Sequence, residues 1–212
     1  MKKNISCFCS CNFSIEYKED VDIDIEPENL EKILNGSFMS YTCPVCAKKH
    51  KPEFKITVVW KSRNLILNVF PELDRGEFYR NKKEGASREG ASHETVIGYP
   101  EMADRLSVIK DGLEPAVIEA LKFHILARAL EDYRNKTINA WYYCKGPEGI
   151  EFHLDGIREG EVAVMRLPGE IYDKTLDDFK NRPKSGVFSS LRIRSYLSVQ
   201  NTLHPNLLKH IS

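Results

Sequence analysis

The sequence predicts an α+β protein, and three observations support this fold class. In the first seventy residues, apolar side chains alternate with polar ones, which is typical of half-buried strands. Between Pro100 and Tyr133 the apolar residues recur with the period of a helix. From Ile138 onwards the alternation returns. We therefore expect an N-terminal antiparallel sheet with one inserted helix, then a helical hairpin, and then a C-terminal antiparallel β region.

The elements of the N-terminal part follow from their sequence patterns. Residues 13–26 alternate and predict one or two strands, with acidic residues on the solvent side. Residues 27–36 predict a short helix, because proline begins the segment and glycine ends it. Three further strands are predicted at residues 38–42, 54–60 and 65–70, the last two joined by a hairpin connection.

The next segment has the composition of a loop. Residues 74–97 contain the short repeat E-G-A-S twice, once in the form R-E-G-A-S, and predict a flexible surface loop. The domain boundaries expected from this composition are 1–73, the loop 74–97, and 98–212, with the first and last parts able to form one continuous domain.

The C-terminal part is predicted to contain helices and then strands. A helix from Pro100 ends near a D-G sequence, and a second helix begins at Pro115 with a broad apolar stripe. The segments that follow are assigned from alternation and turn signals. They are strands at 138–144, 150–154, 161–167 and 191–199 and a short helix at 173–180, with an irregular tail after Asn201.

Five of the six cysteines lie within the first 46 residues, and they predict a metal site. Cys43 and Cys46 form a C-P-V-C sequence, a turn that places two thiolates where one tetrahedral zinc ion binds them at about 2.3 Å. The proline stiffens this turn. A redox pair is disfavoured because no helix begins after Cys46, and a disulfide framework is disfavoured because no secretory signal is recognised.

The C-F-C-S-C cluster at residues 7–11 can supply the other two ligands. Asn12 is able to take the left-handed conformation that such a cysteine loop requires, which favours Cys11 as a ligand. Ligand order and loop length favour Cys7 or Cys9 as the partner of Cys11. One of the five cysteines is therefore spare. The predicted metal ligands are drawn from Cys7, Cys9, Cys11, Cys43 and Cys46, and the predicted cofactor is a structural Zn²⁺ in a zinc-ribbon-like sheet.

Two other residues, outside the two cysteine motifs, are weaker candidates for metal ligands. His50 is a reserve ligand for a site of three cysteines and one histidine, although a histidine beside lysines is usually only exposed. Cys144 lies in W-Y-Y-C and is predicted to be a small buried residue of a strand.

Composition disfavours several classes of function. Thirty-one basic residues balance thirty-one acidic ones, which argues against a polybasic surface unless the charge is segregated. No apolar run approaches the ~18 residues of a membrane span, so no membrane partner is expected. The first residues lack the apolar core of a secretory signal, and a cytoplasmic location is predicted.

The order of these motifs resembles that of a known family. A cysteine cluster, an alternating strand, the helix at 27–36 and T-C-P-V-C at 42–46 are followed by G-Y-P-E at 98–101 and I-K-D-G-L at 109–113. Over roughly residues 1–130 the chain resembles the CpXC domain, a bacterial and archaeal family of unknown function. The resemblance implies two metal-binding cysteine loops, and the family's spacing back from Pro27 implies a ligand at Cys9. It implies no catalytic activity.

The function predicted first is a structural zinc protein that binds another macromolecule, most simply a protein. The alternative is nucleic-acid binding, because residues 16–31 carry eight acidic residues and residues 48–63 carry six basic ones. Trp60, Phe54 and His50 would then stack bases. Pairing between the acidic and basic strands would cancel this charge instead.

Two other classes are weaker. A redox or zinc-release sensor would use the spare cysteine of the first cluster, since an extra thiol beside a metal site can exchange or oxidise. An enzyme is not expected. The H-E-x-x-H pattern, a glycine-rich phosphate loop and a nucleophile elbow are all absent from the sequence. The oligomeric state is not indicated by the sequence.

Overall fold

The computed structural model of the chain describes residues 1–80 and 92–203. Helices and strands occur together, with several antiparallel strand pairs, so the α+β prediction is confirmed. The chain divides into two compact units, Met1–Ala103 and Asp104–Ser212. No helix in the described ranges has both the length and the apolar character that a bilayer span requires.

The first unit begins with a hairpin and a short helix. Strand β1 (Lys2–Ser6) pairs antiparallel with β2 (Asn12–Glu16), and β3 (Asp20–Asp22) follows. Helix α1 (Glu28–Leu34) agrees with the helix predicted at 27–36 and buries Ile33. Its first turn is acidic, which suits the positive end of the helix dipole.

A second, smaller hairpin surrounds the C-P-V-C sequence. Strands β4 (Tyr41–Thr42) and β5 (Lys49–His50) pair antiparallel and have two residues each. The strand predicted at 38–42 is therefore confined to its last two residues. A pair of strands this short needs support from outside itself, because isolated two-stranded hairpins are marginal even at full length.

The core sheet of the first unit contains the two strands with the clearest alternation. Strands β6 (Ile56–Trp60) and β7 (Leu65–Phe70) pair antiparallel, and every second residue of each is buried. Helix α2 (Arg75–Arg80) follows, and strand β8 (Ser92–Ile97) then pairs parallel to β7. Since β3 also pairs parallel to β6, the four strands form a mixed sheet in the order β3-β6-β7-β8.

The loop predicted over 74–97 is wrong at both of its ends. Residues 75–80 are helical because Phe78 and Tyr79 are both buried in the core. Residues 92–97 form β8 because the backbone pairs with β7 and buries Val96 and Ile97. Residues 81–91, which contain the repeated E-G-A-S sequence, lie outside the described residues.

The two predicted helices after residue 98 are present. Helix α3 (Tyr99–Lys110) is followed by α4 (Pro115–Asp132), the longest helix among the described residues. The side chain of Glu114 accepts a hydrogen bond from the backbone N–H of Ala116 at 3.2 Å and caps the start of α4. Proline occupies the first turn, where its missing N–H costs nothing.

The second unit packs α4 against an antiparallel sheet. Strands β9 (Asn139–Gly146), β10 (Gly149–Asp155) and β11 (Ala163–Leu167) have the order β11-β10-β9. Helix α5 (Gly169–Asn181) contacts both α4 and β10. The largest fully buried side chains here belong to these elements and to the chain end that follows; they include Phe152, Ile118, Leu121, Leu126, Ile150 and Leu191.

The single strand predicted at 191–199 is wrong. Helix α6 (Val187–Ser190) leads into β12 (Arg192–Ile193), which folds back on β13 (Tyr196–Leu197). Arg194 has a φ of 56°, so it reverses the chain inside the segment. Helix α7 (Gln200–Leu203) ends the described chain, so the irregular tail predicted after Asn201 is wrong for its first two residues. The rest of that tail lies outside the described residues.

Candidate metal centre

The first cysteine loop closes the β1–β2 hairpin. The backbone N–H of Cys7 donates to the carbonyl oxygen of Cys11 at 2.8 Å, and that of Ser10 donates to the carbonyl of Cys7 at 2.9 Å. Ser10 has a φ of 66°, in the left-handed region. The chain thus turns sharply directly after Cys9, and the Cys7 and Cys9 side chains lie on the same side of the loop.

The second cysteine loop closes the β4–β5 hairpin in a similar way. The backbone N–H of Cys43 donates to the carbonyl of Lys48 at 2.9 Å, and that of Ala47 donates to the carbonyl of Cys43 at 3.0 Å. Ala47 has a φ of 56°. In both loops, therefore, the residue after the second cysteine takes the left-handed conformation, although neither residue is a glycine.

The two loops bring four thiols together. The Sγ atoms of Cys7 and Cys46 are 3.5 Å apart, and those of Cys9 and Cys43 are 3.6 Å apart. All four sulfurs lie within 4.8 Å of one another. Zinc–sulfur bonds of about 2.3 Å in a tetrahedron place sulfurs about 3.8 Å apart. The four cysteines therefore fit one tetrahedral metal ion, and none of them is in a disulfide.

Cys11, the fifth predicted ligand residue, is not part of this group. Its Sγ contacts the carbonyl oxygen of Asn12 at 3.8 Å. The argument from Asn12 is wrong, because Asn12 is the first residue of β2 and Ser10 takes the left-handed position. The group contains both Cys7 and Cys9, whereas ligand order and loop length predicted only one of them, as the partner of Cys11. The family spacing, which implied Cys9, agrees with the group.

Backbone amides prepare one of these thiols for ionisation. Hydrogen bonds from the backbone N–H of Cys46 and that of Val45 lower the pKa of Cys43 to about 6. For Cys9, a backbone hydrogen bond at Cys11 lowers the pKa, but the adjacent Cys7 thiol and partial burial raise it to about 12. Without a metal ion, four adjacent thiols cannot all ionise, because each new negative charge opposes the next.

His50 lies at the margin of the sulfur group. Its Nε2 atom is 3.2 Å from Sγ of Cys7, and its ring packs edge-on against Phe13 with the centroids 5.9 Å apart. His50 reaches this position because β5 pairs with β4 directly after the second cysteine loop. The histidine predicted as a reserve ligand therefore contacts one of the four thiols.

The aromatic residues predicted to stack bases are largely inaccessible. Trp60 and Phe54 are buried, and Phe54 stacks on Tyr17 with the ring centroids 4.1 Å apart.

The acidic and basic segments also pair with each other: Nζ of Lys61 lies 2.9 Å from the Asp22 carboxylate. This hydrogen bond holds the pKa of Asp22 below its usual range.

Cys144 is not part of the sulfur group and belongs to β9 of the second unit. It pairs with Glu151 of β10 and is half-buried rather than buried, which corrects the sequence prediction. The sheet bulges next to this pair, between Glu151 and Phe152. The bulge shifts the register of the β9–β10 pairing after Glu151.

A family model described as CpXC protein matches residues 5–122. The chain belongs to the CpXC protein family. This match spans more than half of the chain and includes all four cysteines of the sulfur group. The recognition of this family from the motif order is confirmed, over nearly the same residues.

The CpXC chain also has a relative of similar length. An uncharacterised protein of Treponema pallidum (strain Nichols) is 30% identical over 213 residues, which cover 93% of this chain and 96% of the relative. The similarity therefore extends beyond the family match and through the second unit. No solved structure matches the chain.

Proposed function

We propose that Cys7, Cys9, Cys43 and Cys46 bind one zinc ion in a closed structural site. The observation that carries this proposal is the approach of four sulfurs, from two separate loops, to within 4.8 Å. Four thiolates in a tetrahedron suit zinc or an iron–sulfur centre. We favour zinc because closed four-cysteine sites between short loops are its usual structural form.

Metal analysis of the full chain and of six single Cys→Ser variants tests this proposal. We expect one zinc per chain in the wild type and in the Cys11→Ser and Cys144→Ser variants. The four remaining variants should lose most of the metal. Retention of zinc by Cys9→Ser together with its loss from Cys11→Ser would contradict the proposed ligand set.

We further propose that the chain is a protein interaction module and not an enzyme. A zinc ion held by four cysteines has no open position for water or substrate, so it supplies structure rather than Lewis-acid catalysis. A cytoplasmic location fits the proposal, because thiolate ligands stay reduced there. Cobalt substitution tests the closed site. Its tetrahedral thiolate spectrum should not change on addition of azide, which binds only where a position is open.

Nucleic-acid binding is the alternative, and the structure gives it less support. It would rely on the basic segment 48–63, where Trp60 and Phe54 are buried and Lys61 pairs with Asp22. Anisotropy of a labelled uridine oligonucleotide at low salt tests it. Tight, salt-dependent binding would favour this alternative over a protein partner.

A further inference from the structure

We propose that the outer surface of the two cysteine loops is a docking site for an acidic, apolar-lined surface of a partner protein. This inference rests on the proposed function, because a metal ion bound between the loops would hold them together. The tip surface, as we name it, consists of Phe8 from the first loop and Pro44, Val45 and Lys48 from the second. All four residues are exposed.

Two large apolar side chains project from this surface. Phe8 is 89% exposed and Val45 is 72% exposed. Each stands between two cysteines of the sulfur group, and because those cysteines turn their sulfurs inward, the residue between them is directed outward. Single exposed apolar residues are common. Here, however, both sit on adjoining loops whose sulfurs are 3.5–3.6 Å apart.

The loops that carry these side chains are basic and free of acidic residues. Segments 1–15 and 36–52 contain five lysines, at positions 2, 3, 48, 49 and 51, and no aspartate or glutamate. Lys2 pairs with Glu16 at 3.1 Å, which leaves four lysines. Their charge still exceeds the charge of about −2 that four thiolates around a zinc ion carry. Nζ of Lys48 lies 4.6 Å from the centroid of the Phe8 ring, so a positive charge lies directly beside an exposed apolar side chain.

These features favour a protein over a nucleic acid as the partner. Val45 and Pro44 are aliphatic and offer no ring for base stacking, while Lys48 covers one face of Phe8. Neither segment contains an arginine, the residue suited to bidentate phosphate contacts. Apolar anchors that project from a cationic surface complement an apolar pocket or side chain flanked by aspartate and glutamate.

Selection from a displayed library of random peptides tests the proposal with the zinc-loaded full chain as bait. A Phe8→Ser/Val45→Ser double variant is selected in parallel, and its zinc content is measured first. We expect the wild type to enrich peptides in which acidic residues flank an apolar one, and the variant not to enrich them. One enriched peptide, made synthetically, should bind the variant about tenfold or more weakly than the wild type.

Matched controls separate the tip surface from general effects. Leu73 is 98% exposed but lies outside the loops, so Leu73→Ser should bind the peptide as the wild type does. Lys48→Glu should weaken binding, whereas Lys136→Glu in the second unit should not.

Three outcomes would each overturn the proposal. The wild type and the double variant could enrich the same peptides equally, or the enriched peptides could lack acidic residues. Alternatively, a uridine oligonucleotide could bind more tightly than the best peptide. If the double variant keeps its zinc but loses peptide binding, the loss is due to the tip surface and not to the metal site. If the wild type itself binds no zinc, the proposed metal site is wrong.

Discussion

Nε2 of His50 lies 3.2 Å from Sγ of Cys7, a hydrogen-bond distance for a nitrogen and a sulfur. With the proton on Nε2, this nitrogen donates to the thiolate and fixes the orientation of the Cys7 side chain. Packing of Phe13 against the imidazole ring holds the donor in place. The histidine is therefore placed to support Cys7 in the proposed four-cysteine metal site.

We predict that His50→Ala keeps one zinc per chain but lowers the zinc affinity by about 10–100-fold, the usual effect of losing such a supporting contact. Competition with a chromophoric chelator measures the affinity, and metal analysis measures the stoichiometry. His124→Ala is the control, because His124 is exposed on α4. If His50→Ala removed all zinc while Cys7→Ser retained it, His50 would be the ligand instead of Cys7.

We predict that metal removal unfolds the two cysteine hairpins locally. Strands β4 and β5 have two residues each and cannot persist without the bridge between the loops. Zinc binding to such sites contributes about 10–16 kcal/mol to folding in small peptides. With chelator, amide hydrogen exchange should accelerate at residues 2–16 and 41–50 and stay slow in α4. Identical exchange with and without chelator would contradict a structural role for the metal.

The fold predictions succeeded where local pattern and burial agree. Strands β6 and β7 bury every second residue, and helix α4 buries the apolar stripe that predicts it. The prediction failed for β8, whose first residues, S-H-E-T, are polar. That strand forms because its backbone pairs with β7. Such long-range pairing leaves little local signal in the sequence.

The predictions for the sulfur group likewise depend on how much local signal the sequence contains. The C-P-V-C turn by itself predicts that Cys43 and Cys46 lie in the sulfur group, since the proline and the spacing define the loop. The choice among Cys7, Cys9 and Cys11 depends on which residue takes the left-handed conformation. That residue is Ser10, with a φ of 66°. Serine has no marked preference for this conformation, whereas asparagine has one, and the sequence therefore pointed to Asn12.

The second unit contains a buried ionic group, and a mutation tests its contribution to stability. Nζ of Lys122 contacts the carboxylates of Asp104 at 2.5 Å and Glu119 at 2.8 Å. All three side chains are at most 6% exposed. The carboxylates also accept hydrogen bonds from the backbone N–H groups of Tyr142 and Val199. Nη2 of Arg105, also buried, lies 3.8 Å from the Glu119 carboxylate. Lys122 and Arg105 together thus balance the charge of two carboxylates that fix separate segments of the chain.

We predict that Lys122→Met lowers the free energy of unfolding by about 3–5 kcal/mol at neutral pH, because it leaves buried carboxylates with less compensating charge. Urea denaturation measures the change. Lys136→Met is the control, since Lys136 is exposed, and should change stability by at most about 0.5 kcal/mol. Equal effects of the two substitutions would show that the ionic group contributes nothing specific.

The same substitution should also change how stability depends on pH. Burial raises the pKa of Asp104 even with Lys122 present, and removing the lysine raises it further. A carboxyl with a raised pKa in the folded state binds more protons folded than unfolded, so stability falls as pH rises through the affected range. We predict that the difference in unfolding free energy between wild type and Lys122→Met shrinks at mildly acidic pH. A pH-independent difference would attribute the loss to packing.

A glycine at the β9–β10 turn offers a last, sterically defined test. Gly149 has a φ of +124°, and a Cβ atom there would lie 2.0 Å from the carbonyl oxygen of Leu167 in β11. We predict that Gly149→Ala lowers the free energy of unfolding by about 3 kcal/mol or more, because backbone strain adds to a clash with another strand. Gly146→Ala, in the same turn, meets no atom within 4 Å and should be nearly neutral. Urea midpoints of the two variants compare these effects, and similar losses in both would mean that turn flexibility, not the contact with β11, determines the cost.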